Sequence, residues 1–238
     1  MNYQAIKLAI LRTGDTLRSG KYNAYLLPGF ILTVILSPLF LFGSLFNNFT
    51  LLFENVPVLG WIFLVINGIL SSLAQATHSF LILTILSPVY SYLSERLESD
   101  STNNQYRFNV RDLFKNMLRT LRILVFMILT EVLLSGVVLF LFNSIGMGFL
   151  GIIALCLIQS FFFGWAFFDY SLERNAYNFK KTQSFVSSHW VSCILVGLIF
   201  QVISKIPYLG LALGAVLATI LATYLYIELT HTPHKTHE

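Results

Sequence analysis

The chain has 238 residues, 56% of them apolar and only 11% charged, a mean hydropathy of +0.73 and a formal net charge of +4. That balance excludes a water-soluble globule, which carries about 25% charged residues, and marks an integral membrane protein. Its two cysteines, Cys156 and Cys193, both lie in apolar runs, so neither a disulfide framework nor a metal site is expected, and no cofactor is called for.

Residues 1–21 are expected to form an interfacial helix. Tyr3, Ile6, Ile10, Thr13 and Leu17 share one helical face, and Lys7, Asp15 and Arg18 lie on the other. Packing on the protein's own surface is the alternative, and both readings set the segment beside the membrane. It lacks the continuous apolar core of a signal peptide and is expected to stay on the chain. Tyr22 to Phe46 is the first apolar run, bent by Pro28 and Pro38. Val58 to Val89 is the second. At about 1.5 Å per residue it would reach roughly 48 Å, beyond a hydrocarbon core of roughly 30 Å, so it must tilt, break or project into water. Asn67, Ser71, Gln75 and His78 fall on one face of this run. They suit either hydrogen-bonding glue between helices or the wall of a wetted pathway. His78 has no second ligand at metal spacing.

Ser87 to Glu98 leads out of the membrane, and residues 91–120 are read as a cytoplasmic segment. Asn109 caps a helix there, with Asp112 three residues on. Arg111, Lys115, Arg119 and Arg122 form a basic stripe that suits anionic lipid headgroups, an anion vestibule being the alternative. Nucleic acid is not expected, because interleaved stacking residues and a soluble domain are lacking. Leu121 to Phe142 and Ile145 to Phe168 make a hairpin turning at Asn143-Ser144. Glu131 sits in the middle of its first arm, where a carboxylate is a candidate functional group or, protonated, a bond to a neighbouring helix.

Asp169 ends the aromatic-rich run and is expected at the membrane surface. Arg174 is five residues on, off its helical face, so Asp169 needs another partner, such as the basic stripe. Residues 169–188 form a second cytoplasmic segment. The last apolar pair is Trp190 to Ile203 and Pro207 to Ile227. Its first arm reaches roughly 21 Å, too short to cross unless residues 185–189 extend it. Gly210, Gly214, Ala218 and Ala222 put a small residue at every fourth place of the second arm, which lets another helix approach closely. The tail 230–238 is expected to be disordered.

All of the fifteen Lys and Arg residues but Lys205 lie in Lys7 to Lys21, Arg96 to Arg122, Arg174 to Lys181, and Lys235. Both termini are therefore expected in the cytoplasm. Six full crossings satisfy this asymmetry, and so do two true spans with two hairpins that enter and return. No Ser/His/Asp, Cys/His or paired-carboxylate arrangement is recognisable, and no enzymatic activity is expected.

Ser87-Pro88 followed by Leu93-Ser94-Glu95-Arg96-Leu97-Glu98, then Asp169-Tyr170, Phe179, and Ile206-Pro207 before a small-residue helix, resembles the CysZ-type sulfate permeases and the related etoposide-induced-protein-like family. The resemblance covers most of the chain from Pro28 onward. It implies an all-α protein of the bacterial inner membrane, with two long membrane helices plus two half-penetrating helical hairpins, assembled as a homo-oligomer and admitting sulfate for cysteine biosynthesis. A membrane assembly or lipid-interacting protein without transport is the alternative. In the permeases a Gly-x-Arg-Arg stretch precedes the first membrane helix, and its basic pair is part of the anion site. Gly20-Lys21-Tyr22-Asn23 stands there in this chain, which leaves Lys21, with Arg18 upstream, as the candidate anion-binding charges. Asn143-Ser144-Ile145-Gly146 likewise replaces the glycine-proline turn of the first hairpin.

Overall fold

The computed structural model describes residues 3–35, 83–102, 110–175, 177–206 and 209–231. The polar stripe Asn67, Ser71, Gln75 and His78, the cap Asn109 and the tail from residue 232 lie outside the described residues, as do the side chains of Arg111, Lys115, Arg119 and Arg122.

All regular structure among the described residues is helical. The helices are α1 (Tyr3–Arg18), α2 (Asn23–Ile35, opening with a 3-10 turn), α3 (Ser87–Thr102), α4 (Val110–Ser144), α5 (Gly148–Arg174), α6 (Phe179–Ser188), α7 (Trp190–Ser204) and α8 (Gly210–His231). Among the described residues, three segments are long and apolar enough to cross a bilayer: Val125–Phe142 within α4, Gly148–Arg174, and Gly210–Thr230 within α8. The second apolar run breaks at its described end, where Leu86 is a turn between helical residues and Pro88 occupies the first turn of α3, a place that needs no backbone donor.

The first hairpin forms as its sequence indicates. α4 stops at Ser144, and the Met147 N–H returns to the Phe142 carbonyl at 2.8 Å before α5 begins, which closes the turn in the manner of a Schellman cap. In the second hairpin, residues 185–189 do not lengthen the first arm. α6 and α7 meet at an angle of 86° at His189, which leaves α7 with 15 residues, roughly 22 Å of helix. That is the geometry of a broken span or a re-entrant arm.

The centre of the molecule is built on close backbone approach. α5 packs most extensively on α7, and α7 on α8. A methyl group at Gly164 would overlap the Cys193 backbone, and one at Gly197 would overlap that of Ser160. The two glycines sit four residues beyond Ser160 and Cys193, so the helices cross antiparallel with a small residue at each contact. Where surrounding lipid is as apolar as leucine, such van der Waals contact replaces the hydrophobic drive between helices. The Gly210 to Ala222 stripe serves the same purpose on α8: Gly214 faces Phe200, and Ala218 and Ala222 are fully buried. Phe162, Phe163, Trp165, Phe167 and Phe168 of α5 fill the space around this crossing.

The face of α1 that meets the protein is Ala5, Ala9 and Thr13, resting on α8, while Tyr3, Ile10 and Leu17 are exposed. Small residues make this helix contact, and the large apolar ones are left for lipid. Asp169 does not end its helix: α5 runs on to Arg174, and Asp169 is only 2% exposed. Neighbouring helices cover the carboxylate. α8 likewise stays helical through His231, past the expected start of the tail.

Candidate functional site

Polar groups gather at one end of the bundle, where the C-terminal halves of α3, α5 and α8 meet α1 and the start of α2. α3 determines the arrangement. Tyr90, Leu93, Ser94, Leu97 and Glu98 recur at spacings of three, one, three and one, and all are buried. The helix therefore turns a hydroxyl and a carboxylate into the protein along with its apolar side chains.

Glu98 is fully buried there. Arg174 Nη2 donates to its Oε2 at 2.8 Å and to Ser94 Oγ at 2.8 Å, while Nη1 donates to the Ser91 carbonyl at 3.0 Å. The Asn175 amide reaches Glu98 Oε1 at 3.4 Å. Ser94 Oγ lies 3.1 Å from Ser171 Oγ and 2.7 Å from Thr223 Oγ1, which ties α3 to α5 and α8. A charge out of water is tolerated when it is paired and its remaining bonds are satisfied, and this pair has several.

Asp100, two residues further along α3, points to the outside. Its Oδ2 accepts from Lys21 Nζ at 2.5 Å and from the Tyr22 hydroxyl at 2.6 Å. The Lys21 and Asp100 side chains are 52% and 43% exposed. Gly20 shapes this turn: its φ of +65° is a left-handed conformation that ends α1 and redirects the chain into α2, and glycine adopts it without steric cost. Hydrogen bonds from Lys21 and then Tyr22 hold the Asp100 carboxyl below its ordinary range. Burial, then the bond to Asp100, pushes the Tyr22 phenol upward. Arg96, one turn back on α3, is exposed near Tyr92 and Tyr25. The rings of Tyr25 and Tyr92 are 6.2 Å apart, as are those of Tyr22 and Tyr25.

The expected site residues thus fall in different places. Arg18 is exposed in the last turn of α1, and Lys21 is paired with Asp100. Arg174 is buried on Glu98. Glu131 is buried in α4; its Oε2 and the Oγ of Ser135, one turn along, have no hydrogen-bond partner among the described residues. Asp169 borders a small recess with Leu83, Thr84, Ile123, Met127, Ala166 and Tyr170. Sequence reasoning missed Glu98 and Asp100 as partners. The three-and-four spacing that links Ser94 and Glu98 to Leu93 and Leu97 is the signal that identifies the buried one. No signal marks Asp100 except its charge.

Over residues 10–228 the sequence matches the family described as sulfate transporter CysZ/etoposide-induced protein 2.4. The chain belongs to this family. No curated protein matches it. Membership in the CysZ/etoposide-induced family agrees with the apolar helices described above, and a membrane protein with a broadly transport-related role is what they support together.

Proposed function

We propose that this protein moves a small oxyanion, with sulfate the first candidate, across the bacterial inner membrane, as a homo-oligomer that feeds sulfur assimilation. The observation that carries the reading is the Gly20 turn. It sets the exposed Lys21 ammonium beside the Tyr22 hydroxyl, both bonded to Asp100, at the start of the first apolar helix. Family membership supports transport, and the concentration of basic residues supports cytoplasmic termini. Uptake of radiolabelled sulfate into liposomes containing the purified protein tests the reading, with uptake above protein-free liposomes expected. For topology, single cysteines at Asn143 and Lys205, in a background without Cys156 and Cys193, are expected to react slowly with an impermeant thiol reagent added outside. Fast reaction of both sites favours full crossings.

A second reading, a lipid-interacting membrane protein without transport, is favoured by one feature: the exposed flank of Tyr3, Ile10 and Leu17 on α1. Such a flank suits burial at the headgroup boundary. Absence of sulfate uptake would leave this second reading.

A further inference from the structure

No Asp or Glu lies between Glu173 and Glu228, and α6 brings Lys180 and Lys181 into that stretch. We propose that the outer face of α6 is a docking surface for anionic phospholipid, with the two lysines on the headgroup phosphates and Phe179 and Trp190 at the boundary between headgroups and acyl chains. The inference rests on the membrane placement of the chain and is independent of what the protein carries.

Helical spacing divides α6 into two sides. Thr182 and Val186 are buried, and Phe185 lies against Phe168, Tyr177 and Tyr226, which ties this side to α5 and α8. Lys180, Lys181, Ser184 and Ser188 are exposed on the opposite side. Among the described residues neither lysine is in an ion pair.

The two ends of α6 fix its depth. The Phe179 ring stands edge-on to that of Phe126, 5.2 Å between centres, and Phe126 is in the first turn of the apolar segment Val125–Phe142. At its other end α6 turns through 86° into the apolar α7, whose first residue, Trp190, is 56% exposed. The helix therefore lies along the membrane surface, at the level that tryptophan favours. The corner is set in advance: the His189 N–H donates to the Phe185 and Val186 carbonyls at 3.0 and 3.2 Å, and His189 Nδ1 lies 2.9 Å from the Phe185 carbonyl oxygen. Both lysines thus face the headgroups without rearrangement, and the lipid in turn holds α6 flat while α7 enters the bilayer.

The test uses the full-length protein with Trp190 as its one remaining tryptophan, through Trp61→Phe and Trp165→Phe, in bilayers that mix phosphatidylcholine and phosphatidylglycerol. Quenching of Trp190 fluorescence by the brominated form of each lipid in turn reads the local ratio of the two. Phosphatidylglycerol is expected to be enriched at least about fivefold, the factor for one lysine near an anionic surface at about 1 kcal/mol. Lys180→Gln with Lys181→Gln is expected to bring the ratio near one, and Lys180→Arg with Lys181→Arg to preserve the preference. Equal quenching by the two lipids overturns the proposal, as does a preference that survives the double glutamine change. So does an unquenched Trp190, the result if a second copy of the chain covers α6. Replacing chloride by inorganic phosphate at constant ionic strength is expected to leave the ratio unchanged; loss of the preference would make α6 a site for the free ion and overturn the lipid assignment. If the tryptophan background does not fold, retention of phosphatidylglycerol over phosphatidylcholine by the otherwise unaltered protein, read by native mass spectrometry with and without the double glutamine change, decides the same question.

Discussion

Glu98 and Asp100 are two residues apart on α3, and each holds a cation that follows or precedes an apolar helix. Their surroundings differ. Glu98 and Arg174 are almost entirely out of water, with side chains 0% and 8% exposed, and are joined by Ser94, Ser171, Thr223 and Asn175 into a network across three helices. Asp100 and Lys21 meet at 2.5 Å but stand half in solvent. Distance alone makes the two pairs equals; the medium separates them. In a buried site, loss of one partner leaves a charge that cannot be rehydrated, whereas on the rim water replaces the lost partner. Hence the first pair holds the fold and the second contributes little to it.

The largest effect is expected from Arg174→Met. It leaves the Glu98 carboxylate buried beside neutral groups and is expected to cost about 3–5 kcal/mol, seen as loss of monodisperse protein or a much lower melting temperature. Adding Glu98→Gln should recover most of the loss. An Arg174→Met protein as stable as its parent would erase the contrast between the two pairs. Next in size is Gly197→Val. Its side chain meets the Ser160 backbone, and overpacking of this kind costs about 1–3 kcal/mol or more. Thermal unfolding in detergent would show whether the α5–α7 crossing is as tight as its geometry requires.

Much of the fold was legible in the sequence. The apolar runs have helical length, the turn after Asn143-Ser144 breaks the first hairpin where expected, and the short run from Trp190 became the short helix α7. The small-residue stripe on α8 was also read correctly. On α1 the residues that touch α8 include Ala5 and Ala9, which the spacing of the large apolar residues does not mark, while Ile10 and Leu17 remain outside. The site was less legible. Arg174 and Lys21 were visible as charges, but their partners are 76 and 79 residues away, and only the packing of α3 brings them together. That Asp169 is covered by neighbouring helices has no signal in the sequence, where only the end of the apolar run shows.

On the rim, the expected effects are smaller. Lys21→Ala is expected to change stability by less than about 1 kcal/mol, measured by the same thermal unfolding. The pH dependence follows from the lowered carboxyl pKa of Asp100. A carboxylate favoured in the folded state contributes stability above its unfolded value, about 3.9, and that contribution is lost as pH falls through the lower folded value. No Asp100-dependent change is therefore expected between pH 7 and pH 5. A small loss at stronger acidity should disappear in Asp100→Asn. The smallest effect is that of salt. At about 1 M, where the screening length is about 3 Å, a double-mutant cycle on Lys21 and Asp100 should approach zero coupling, while the cycle on Arg174 and Glu98 should keep its value. Equal salt sensitivity of the two cycles would mean that both pairs are wet.

Sulfate uptake into proteoliposomes tests the central claim most directly, namely that the exposed end of the bundle receives an anion while the buried pair holds the structure. The parent protein is expected to give saturable uptake above protein-free liposomes, with uptake reduced in Lys21→Gln while the protein stays folded and monodisperse. Uptake no greater than that of protein-free liposomes, from protein shown to be folded, would contradict it.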